Sequence, residues 1–384
     1  MPIAVYALAI GAFAICTTEF VIVGLLLNIS NDLSISISSA GMLVTAYAMG
    51  VVIGAPILTP LMVRFKRKKA LIVLMALYVL GNIACAVATS YDFLMAARVI
   101  AALVQASFFG LGAVVATQLV PEGKQASAIA AMFLGATLAN VFGAPIGTVI
   151  GEYFGWRSTF IACSVIGVIS GLSIAVLVPD VKSERPKNIA REFGILLQPR
   201  ALKALLITIL GFSGIFTALT YLGPLLTQVT GFPETAVSWL LFIFGVGMVI
   251  GNPLGARLTD HSLRLGILIT LVVLFIVLIA LGLLASFKVI TGILIFLFGA
   301  AMFSAIPPLQ VQAMQATSDA PVMGSSFNIA AFNLGNAGGA WLGGYVLEHG
   351  MKVAELPMVA AGVTAIGLVF AFLAKAGLPV KISH

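Results

Sequence analysis

Twelve long apolar runs constrain this chain more than any other feature. They lie at roughly 4–27, 39–62, 70–89, 93–117, 126–150, 158–178, 202–227, 236–256, 265–285, 289–313, 324–346 and 356–376. About 20 apolar residues in a helix cross the hydrocarbon core of a bilayer, because an α-helix rises about 1.5 Å per residue. Hydrophobic residues make up 61% of the chain and charged residues 9%, whereas soluble domains carry about 25% charged residues. We therefore predict an all-α membrane protein with twelve transmembrane helices in contact with the lipid bilayer.

The net charge of +7 indicates membrane topology, because the basic residues cluster in short loops between apolar runs. Most of them lie in the loops after runs 2, 4 and 8, in the 179–201 segment and in the C-terminal tail. The loops on the opposite side hold Arg157, Lys288 and Lys352. Cytoplasmic loops carry the excess of Lys and Arg. We therefore predict a multi-pass protein with both termini in the cytoplasm, and we expect no nucleic-acid partner.

The second half of the chain repeats the first. The run-2 sequence from Gly50 to Pro56 (GVVIGAP) returns 197 residues later, in run 8, as the sequence from Gly247 to Pro253 (GMVIGNP). Two halves with an even number of spans keep the same orientation, as in the parallel repeats of large transporters. The polar segment 179–201 divides the halves. We therefore predict domains at 1–178 and 202–384, joined by a cytoplasmic linker at 179–201.

Glycines recur every four residues in runs 2, 5, 8 and 11. The four series are Gly50/Gly54, Gly143/Gly147/Gly151, Gly247/Gly251/Gly255 and Gly335/Gly339/Gly343. Each series places small residues on one helix face, which lets another helix approach closely. Two interpretations stay open at this point: tight static packing, or a sliding contact between the two halves.

Several motifs together resemble the major facilitator superfamily over the whole chain. They are Thr17-Thr18-Glu19-Phe20 in run 1, the basic loop from Arg64 to Lys68, Arg98 in run 4, and the run-5 sequence GAPIG at 143–147, followed by FGWR at 154–157. The chain is most similar to the twelve-span drug:proton antiporters, in the AraJ-like branch of sugar and chloramphenicol exporters. The resemblance implies two pseudo-symmetric six-helix bundles and proton-coupled efflux of sugars, drugs or related polar compounds from a bacterial inner membrane. We expect a monomer that needs no cofactor or metal.

Glu19 and Arg98 are the two charged residues well inside apolar runs. Charges at such depth are expensive and are usually paired or functional. Glu19 lies about 12 Å and Arg98 about 8 Å from the predicted outer ends of their runs, by helical rise, so we expect the two side chains to meet. Burial favours a protonated carboxyl, whereas a neighbouring cation favours the carboxylate. Our hypothesis is that Glu19 alternates between proton and substrate, with Arg98 as its partner; the alternative is a permanent structural ion pair.

The resemblance also predicts that substrate contacts come from runs 1, 4, 7 and 10. The polar and aromatic candidates there are Thr17, Thr18, Gln105, Phe108, Phe109, Phe212, Phe216, Tyr221, Phe303, Gln310 and Gln312. Amides and hydroxyls suit sugars or amide-bearing drugs, and aromatics suit planar compounds, although ordinary packing can also explain each aromatic. Pro307-Pro308 should break run 10. The resemblance further assigns conformational roles to Arg64, Arg67, Asp260, Gly143, Pro145 and Gly147.

Other functional classes fit the sequence poorly. The chain has no H-E-x-x-H and no G-x-S-x-G sequence, and its histidines lie in loops or the tail. We therefore expect no enzyme activity. A channel would need a selectivity filter or ring. Among transporters, a proton-coupled importer and an uncoupled facilitator stay open beside the exporter.

Overall fold

The structure, a computed structural model, describes residues 1–35, 37–181 and 189–373. The described part of the chain is almost entirely helical and contains no β-strand. Parts of the predicted linker and tail, at 182–188 and 374–384, lie outside the described residues.

Six long helices, α1–α6, account for the first half. Their bounds are Ile3–Asp32, Ile37–Met62, Arg67–Ala86, Tyr91–Gln118, then α5 as Gln125–Leu138 and Ala144–Phe154 joined by the π-helical turn Ala139–Gly143, and α6 as Trp156–Leu177. The π turn precedes Pro145, which has no N–H to donate to the preceding turn. Gly155 has a φ of 84° and separates α5 from α6.

Six further long helices, α7–α12, follow the short helix Ile189–Leu196. Their bounds are Pro199–Leu219, Glu234–His261, Leu263–Leu284, then α10 as Lys288–Ser304 and Ile306–Ala316, then Pro321–Glu348 and Leu356–Leu373. The predicted break in α10 is confirmed at Ala305. The ring of Pro308 would clash with the carbonyl of Ser304, four residues earlier, and its nitrogen cannot donate a hydrogen bond.

Eleven helices in the described residues are long and apolar enough to cross a membrane, and they match the predicted runs except 324–346. That run lies in α11, whose 28 residues are long enough to span. Asn328, Asn333, Asn336 and many glycines lower its hydropathy. The twelfth predicted span is therefore a helix with an unusually polar and small-residue composition.

The helices pack in matching pairs within each half. In the first half α1 packs on α5, α2 on α4 and α3 on α6. In the second half α8 packs on α10 and α9 on α12, and α7 meets α11 through the Ser213 and Thr217 hydroxyls, which donate to the carbonyls of Gly335 and Gly339. Each pair in the second half is the equivalent of one in the first, as the internal repeat predicts.

Two compact units divide the chain. One comprises Met1–Ile189 with Ser325–Asn333, and the other comprises Ala190–Gly324 with Leu334–His384. The domain boundaries predicted from the sequence, with the linker at 179–201, stay a prediction.

Candidate functional site

Glu19 lies in the middle of α1 and is only partly buried. Its Oε2 accepts a hydrogen bond of 2.9 Å from Nε2 of Gln105 on α4. The Cys16 side chain, one turn earlier on α1, also faces the carboxyl group. The structure thus holds this intramembrane carboxyl through an uncharged amide.

Arg98 of α4 is fully buried and makes a hydrogen bond and a cation–π contact. Its Nη1 donates a 2.7 Å hydrogen bond to the backbone carbonyl of Thr18, next to Glu19. Its guanidinium lies 4.4 Å from the ring centroid of Tyr47 on α2, a cation–π contact. Although both residues lie in the described part of the chain, no direct ion pair joins Arg98 to Glu19. In place of the expected direct pair, Glu19 binds Gln105 and Arg98 binds the carbonyl of Thr18.

Thr18 belongs to a buried polar network inside the first half. Its hydroxyl lies 2.6 Å from the Tyr78 hydroxyl and donates to Oδ1 of Asn82 at 2.9 Å. Tyr78 in turn donates to the carbonyl of Ala14 at 2.6 Å. These bonds tie α1 to α3 and leave no exposed surface of Thr18 for a ligand in this structure. A substrate contact at Thr18 stays a prediction.

The other candidates on α1 and α4 are also buried. Phe108 and Phe109 meet edge to face at 6.1 Å, and Phe109 lies 4.9 Å from the ring of Phe133 on α5. Phe108 also fills the space beside Gly11 on α1. Thr17 is buried against Gly143 of α5. The aromatic pair therefore packs the interior of the first half, which is the ordinary alternative to substrate contact.

The candidates of the second half divide by exposure. Phe216, Tyr221 and Gln312 are partly exposed, whereas Phe212, Phe303 and Gln310 are buried. The Tyr221 hydroxyl donates to the carbonyl of Ala340 at 3.3 Å, and its ring lies against Gly343. The partly exposed three offer surface to a ligand in this structure, and their role as substrate contacts stays a prediction.

The four glycine series face helices of their own half. A methyl group at Gly143, Gly147 or Gly151 of α5 would collide with Thr17, Val21 or Leu25 of α1. Series in the other helices face α4, α10 and α7: Gly50/Gly54 meet Val99 and Leu103, Gly247/Gly251/Gly255 meet Phe296, Ala300 and Ser304, and Gly335/Gly339/Gly343 meet Ile209, Ser213 and Thr217. The sliding-contact interpretation is therefore wrong for these faces, because each is filled by a helix of the same half.

The predicted conformational residues lie at two kinds of place. Gly143 and Gly147 of α5 are buried against α1, whereas Pro145 of the same helix points away from α1 and is exposed. Arg64 is exposed in the loop after α2, Arg67 begins α3, and Asp260 lies in the last turn of α8. Their roles in conformational change stay predictions.

One polar cluster was not predicted from the sequence. Arg157 at the start of α6 forms an ion pair of 2.6 Å with Asp32 at the end of α1, and its Nε and Nη2 donate to the carbonyl of Ala88. The Trp156 indole also donates to Asp32, at 3.1 Å, and its ring stacks beneath the guanidinium at 4.2 Å. The Arg157 and Trp156 hydrogen bonds lower the pKa of Asp32. Arg157 belongs to a recognised motif, but nothing local in the sequence points from it to Asp32.

No group of three or more His, Cys, Asp or Glu side chains able to hold a metal ion occurs among the described residues. Cys16, Cys85 and Cys163 are free and buried. The site itself holds a carboxyl group bonded to the Gln105 amide, with the Arg98 cation bonded to the carbonyl of the preceding residue.

Residues 8–329 match the family model described as Major Facilitator Superfamily. The chain is 43% identical over 373 residues to the inner membrane transport protein YdhP of Escherichia coli O157:H7, covering 97% of this chain and 96% of the relative. It is 33% identical to the putative transporter AraJ of Escherichia coli K12, covering 93% of this chain and 91% of the relative. It is 31% identical to a chloramphenicol resistance protein of Streptomyces lividans, covering 97% and 96%.

Two solved structures share the fold at low sequence identity. The human organic anion transporter MFSD10 aligns with a TM-score of 0.76 at 13% identity, covering 96% of this chain and 98% of that one. The Escherichia coli fucose:proton symporter FucP aligns with a TM-score of 0.76 at 16% identity, covering 97% and 98%. The predicted all-α transmembrane fold class is thereby confirmed.

Proposed function

We propose that this chain, which belongs to the major facilitator superfamily, exports small molecules across the membrane in exchange for protons by alternating access. The resemblance predicted from the sequence is confirmed by the family match and by the relatives. The family and the structural neighbours are transporters and not enzymes. The direction of transport and the coupling to protons are our proposal.

The observation that carries the proposal is the setting of Glu19. Its carboxyl group lies inside a membrane-spanning helix and is hydrogen bonded to the Gln105 amide. The buried Arg98 cation is bonded to the carbonyl of Thr18, the residue before Glu19. A carboxyl group at this depth is costly to keep there unless it is protonated or, when deprotonated, paired with a cation. Glu19 has a partner for both conditions within reach, which supports a role as the proton carrier.

For the substrate class we propose sugars, drugs such as chloramphenicol, or related polar compounds. The chloramphenicol resistance protein of Streptomyces lividans covers nearly the whole chain at 31% identity. The amides of Gln310 and Gln312 and the aromatic groups of Phe216 and Tyr221 suit compounds with both polar groups and flat apolar faces. We propose that substrate competes with the proton at Glu19.

We further propose a place in the bacterial inner membrane with both termini in the cytoplasm. YdhP is an inner membrane transport protein, and eleven helices of the described residues are long and apolar enough to cross a bilayer. The cytoplasmic side follows from the bias of Lys and Arg. A monomer suffices, because both halves of the repeat lie in one chain.

The test is proton movement in proteoliposomes with a pH-sensitive dye inside. Chloramphenicol, arabinose-type sugars and purine nucleosides are added one at a time to the native protein, to Glu19→Gln and to Glu152→Gln. Glu152 is exposed at the end of α5, so its variant removes a carboxylate of the same kind outside the site. We expect at least one compound to move protons through the native protein and Glu152→Gln, and none through Glu19→Gln.

Three other outcomes would overturn parts of the proposal. Proton movement in the same direction as the substrate identifies an importer. Passive equilibration of a compound without proton movement identifies a facilitator. If Glu19→Gln still exchanges protons, Glu19 is structural and another group carries the proton.

A further inference from the structure

Four buried polar atoms beside Glu19 have no hydrogen-bond partner. They are Nε and Nη2 of Arg98, Oε1 of Gln105 and the hydroxyl of Tyr47. A buried donor or acceptor without a partner costs about 1–3 kcal/mol, and more for charged groups. Folded proteins leave few such groups, and each one needs an explanation. Three of these atoms belong to Gln105 and Arg98, and the fourth belongs to Tyr47, whose ring contacts Arg98.

We propose that the Glu19 carboxyl group has two binding positions, or seats. When it is protonated it binds Gln105, and when it is deprotonated it binds Arg98. The inference rests on the proposed function, because it names the residues between which the proton carrier moves. It gives Gln105 the part of a positioning residue for Glu19, where the sequence had indicated a substrate contact. The structure corresponds to the Gln105 seat.

Gln105 suits a protonated carboxyl because its amide both donates and accepts. Nε2 already donates to Oε2 of Glu19 at 2.9 Å. A protonated carboxyl has an O–H to donate, whereas a carboxylate has none. The unpaired Oε1 of Gln105 is an acceptor for that O–H. The acid and the amide then form a ring of two hydrogen bonds, and the unpaired atom of Gln105 is satisfied.

Arg98 suits the deprotonated carboxyl because its unpaired Nε and Nη2 form one edge of the guanidinium. That edge can hold both oxygens of a carboxylate. Arg98 is anchored by its third nitrogen, Nη1, to the carbonyl of Thr18, the residue before Glu19. Gln105 lies seven residues after Arg98 on α4, about 10 Å along the helix. Because Arg98 is bonded to the residue before Glu19, rotation of the Glu19 side chain is the movement that we expect to exchange one seat for the other.

Tyr47 keeps the second seat in place. Its ring supports the guanidinium at 4.4 Å from the opposite helix, α2. The remaining titratable groups that face the two seats are Cys16 on α1, Cys85 on α3 and Cys163 on α6. These thiols and the Tyr47 phenol are weak acids that stay neutral where a carboxyl titrates. Glu19 is therefore the group that changes charge, and its proton leaves to water at its exposed side.

Infrared difference spectroscopy tests the two seats without any substrate. The protein in lipid is titrated with acid and base, and the carbonyl stretch of a protonated carboxyl is followed in the native protein and in Glu19→Gln, Gln105→Met and Arg98→Met. We expect a native band that is absent from Glu19→Gln. Gln105→Met, which keeps length but loses both polar atoms, should shift the band to higher frequency, because the ring of hydrogen bonds is lost. Gln105→Asn gives the same comparison if the methionine variant does not fold.

Arg98→Met should keep the band at its native frequency but move its midpoint to higher pH by at least about tenfold in proton concentration, because the carboxylate has lost its cation. An unchanged frequency in Gln105→Met overturns the first seat. An unchanged midpoint in Arg98→Met overturns the second seat. Absence of the band from the native protein overturns both. If the band behaves as expected but no compound moves protons in proteoliposomes, the proposed function fails while the two seats stand.

Discussion

Gly50 of α2 offers a direct measurement of how tightly the transmembrane helices pack. A methyl group at Gly50 would lie 2.8 Å from Cβ of Ala102 and 3.0 Å from the carbonyl oxygen of Val99, both on α4. Ordinary contacts begin at 3.4 Å, so α2 and α4 must separate by several tenths of an ångström. Gly41 lies in the same helix and has no atom within 4 Å of the corresponding position. It is therefore a matched control.

The expected magnitude comes from two opposing effects. Overpacking a tight contact costs about 1–3 kcal/mol. Alanine stabilises a helix by up to about 1 kcal/mol relative to glycine, and this gain applies to both positions. The difference between Gly50→Ala and Gly41→Ala therefore isolates the cost of overpacking. At about 2–4 °C per kcal/mol for a domain of this size, Gly50→Ala should melt roughly 2–12 °C below Gly41→Ala.

A thiol-reactive fluorophore provides the assay, because Cys16, Cys85 and Cys163 are all buried in the first half and react only when it opens. The purified protein is heated in detergent with the dye, and the midpoint of the fluorescence rise is compared between the two variants. Equal midpoints would refute the reasoning, because they would mean that α2 and α4 are not in close contact at Gly50. A larger side chain, Gly50→Leu, should widen the difference.

Two further predictions concern single side chains. Hydrogen bonds from Arg157 and Trp156 lower the pKa of Asp32, so their stabilisation is present above the unfolded value of about 3.9 and is lost as the pH falls through the folded value. The pair is partly exposed, so the effect is at most about 1 kcal/mol. The melting midpoint of the native protein should fall in acid, whereas that of Asp32→Asn should be lower at neutral pH and change less with pH. Parallel curves of melting midpoint against pH for the two proteins would contradict this. Tyr47→Phe keeps the ring beneath the Arg98 guanidinium and removes an unpaired hydroxyl, so it should melt at or above the native midpoint. Tyr47→Leu loses about 2 kcal/mol of cation–π contact and should melt several degrees lower. Equal midpoints for the two variants would show that the ring does not support Arg98.

The packing pairs have a consequence for how the halves work. Each glycine series packs against one helix of its own half, and equivalent helix pairs recur in both halves. Close backbone approach leaves little freedom for the paired helices to slide. We therefore expect each half to move as a body during transport, with the side chain of Glu19 as a smaller moving part inside the first half.

The sequence by itself determined the apolar runs, the repeat and the two charged residues inside those runs. Hydropathy and helical rise are local properties, so an apolar run of about 20 residues predicts a span wherever the chain folds. A charge inside such a run is also visible locally, which is why Glu19 and Arg98 could be named. The glycine series predicted close helix contacts for the same reason, although the sequence left open which helix each series faces.

Tertiary structure alone decided the partners. Gln105 binds Glu19 across 86 residues of chain, Arg98 binds the Thr18 carbonyl across 80, and Arg157 binds Asp32 across 125. A single sequence does not show which of two residues so far apart in the chain are in contact. Tyr47 reads as one more apolar position in α2 until the helices are packed. Which side chain meets a buried charge depends on helix rotation and pairing, and packing of all the helices in the half fixes both.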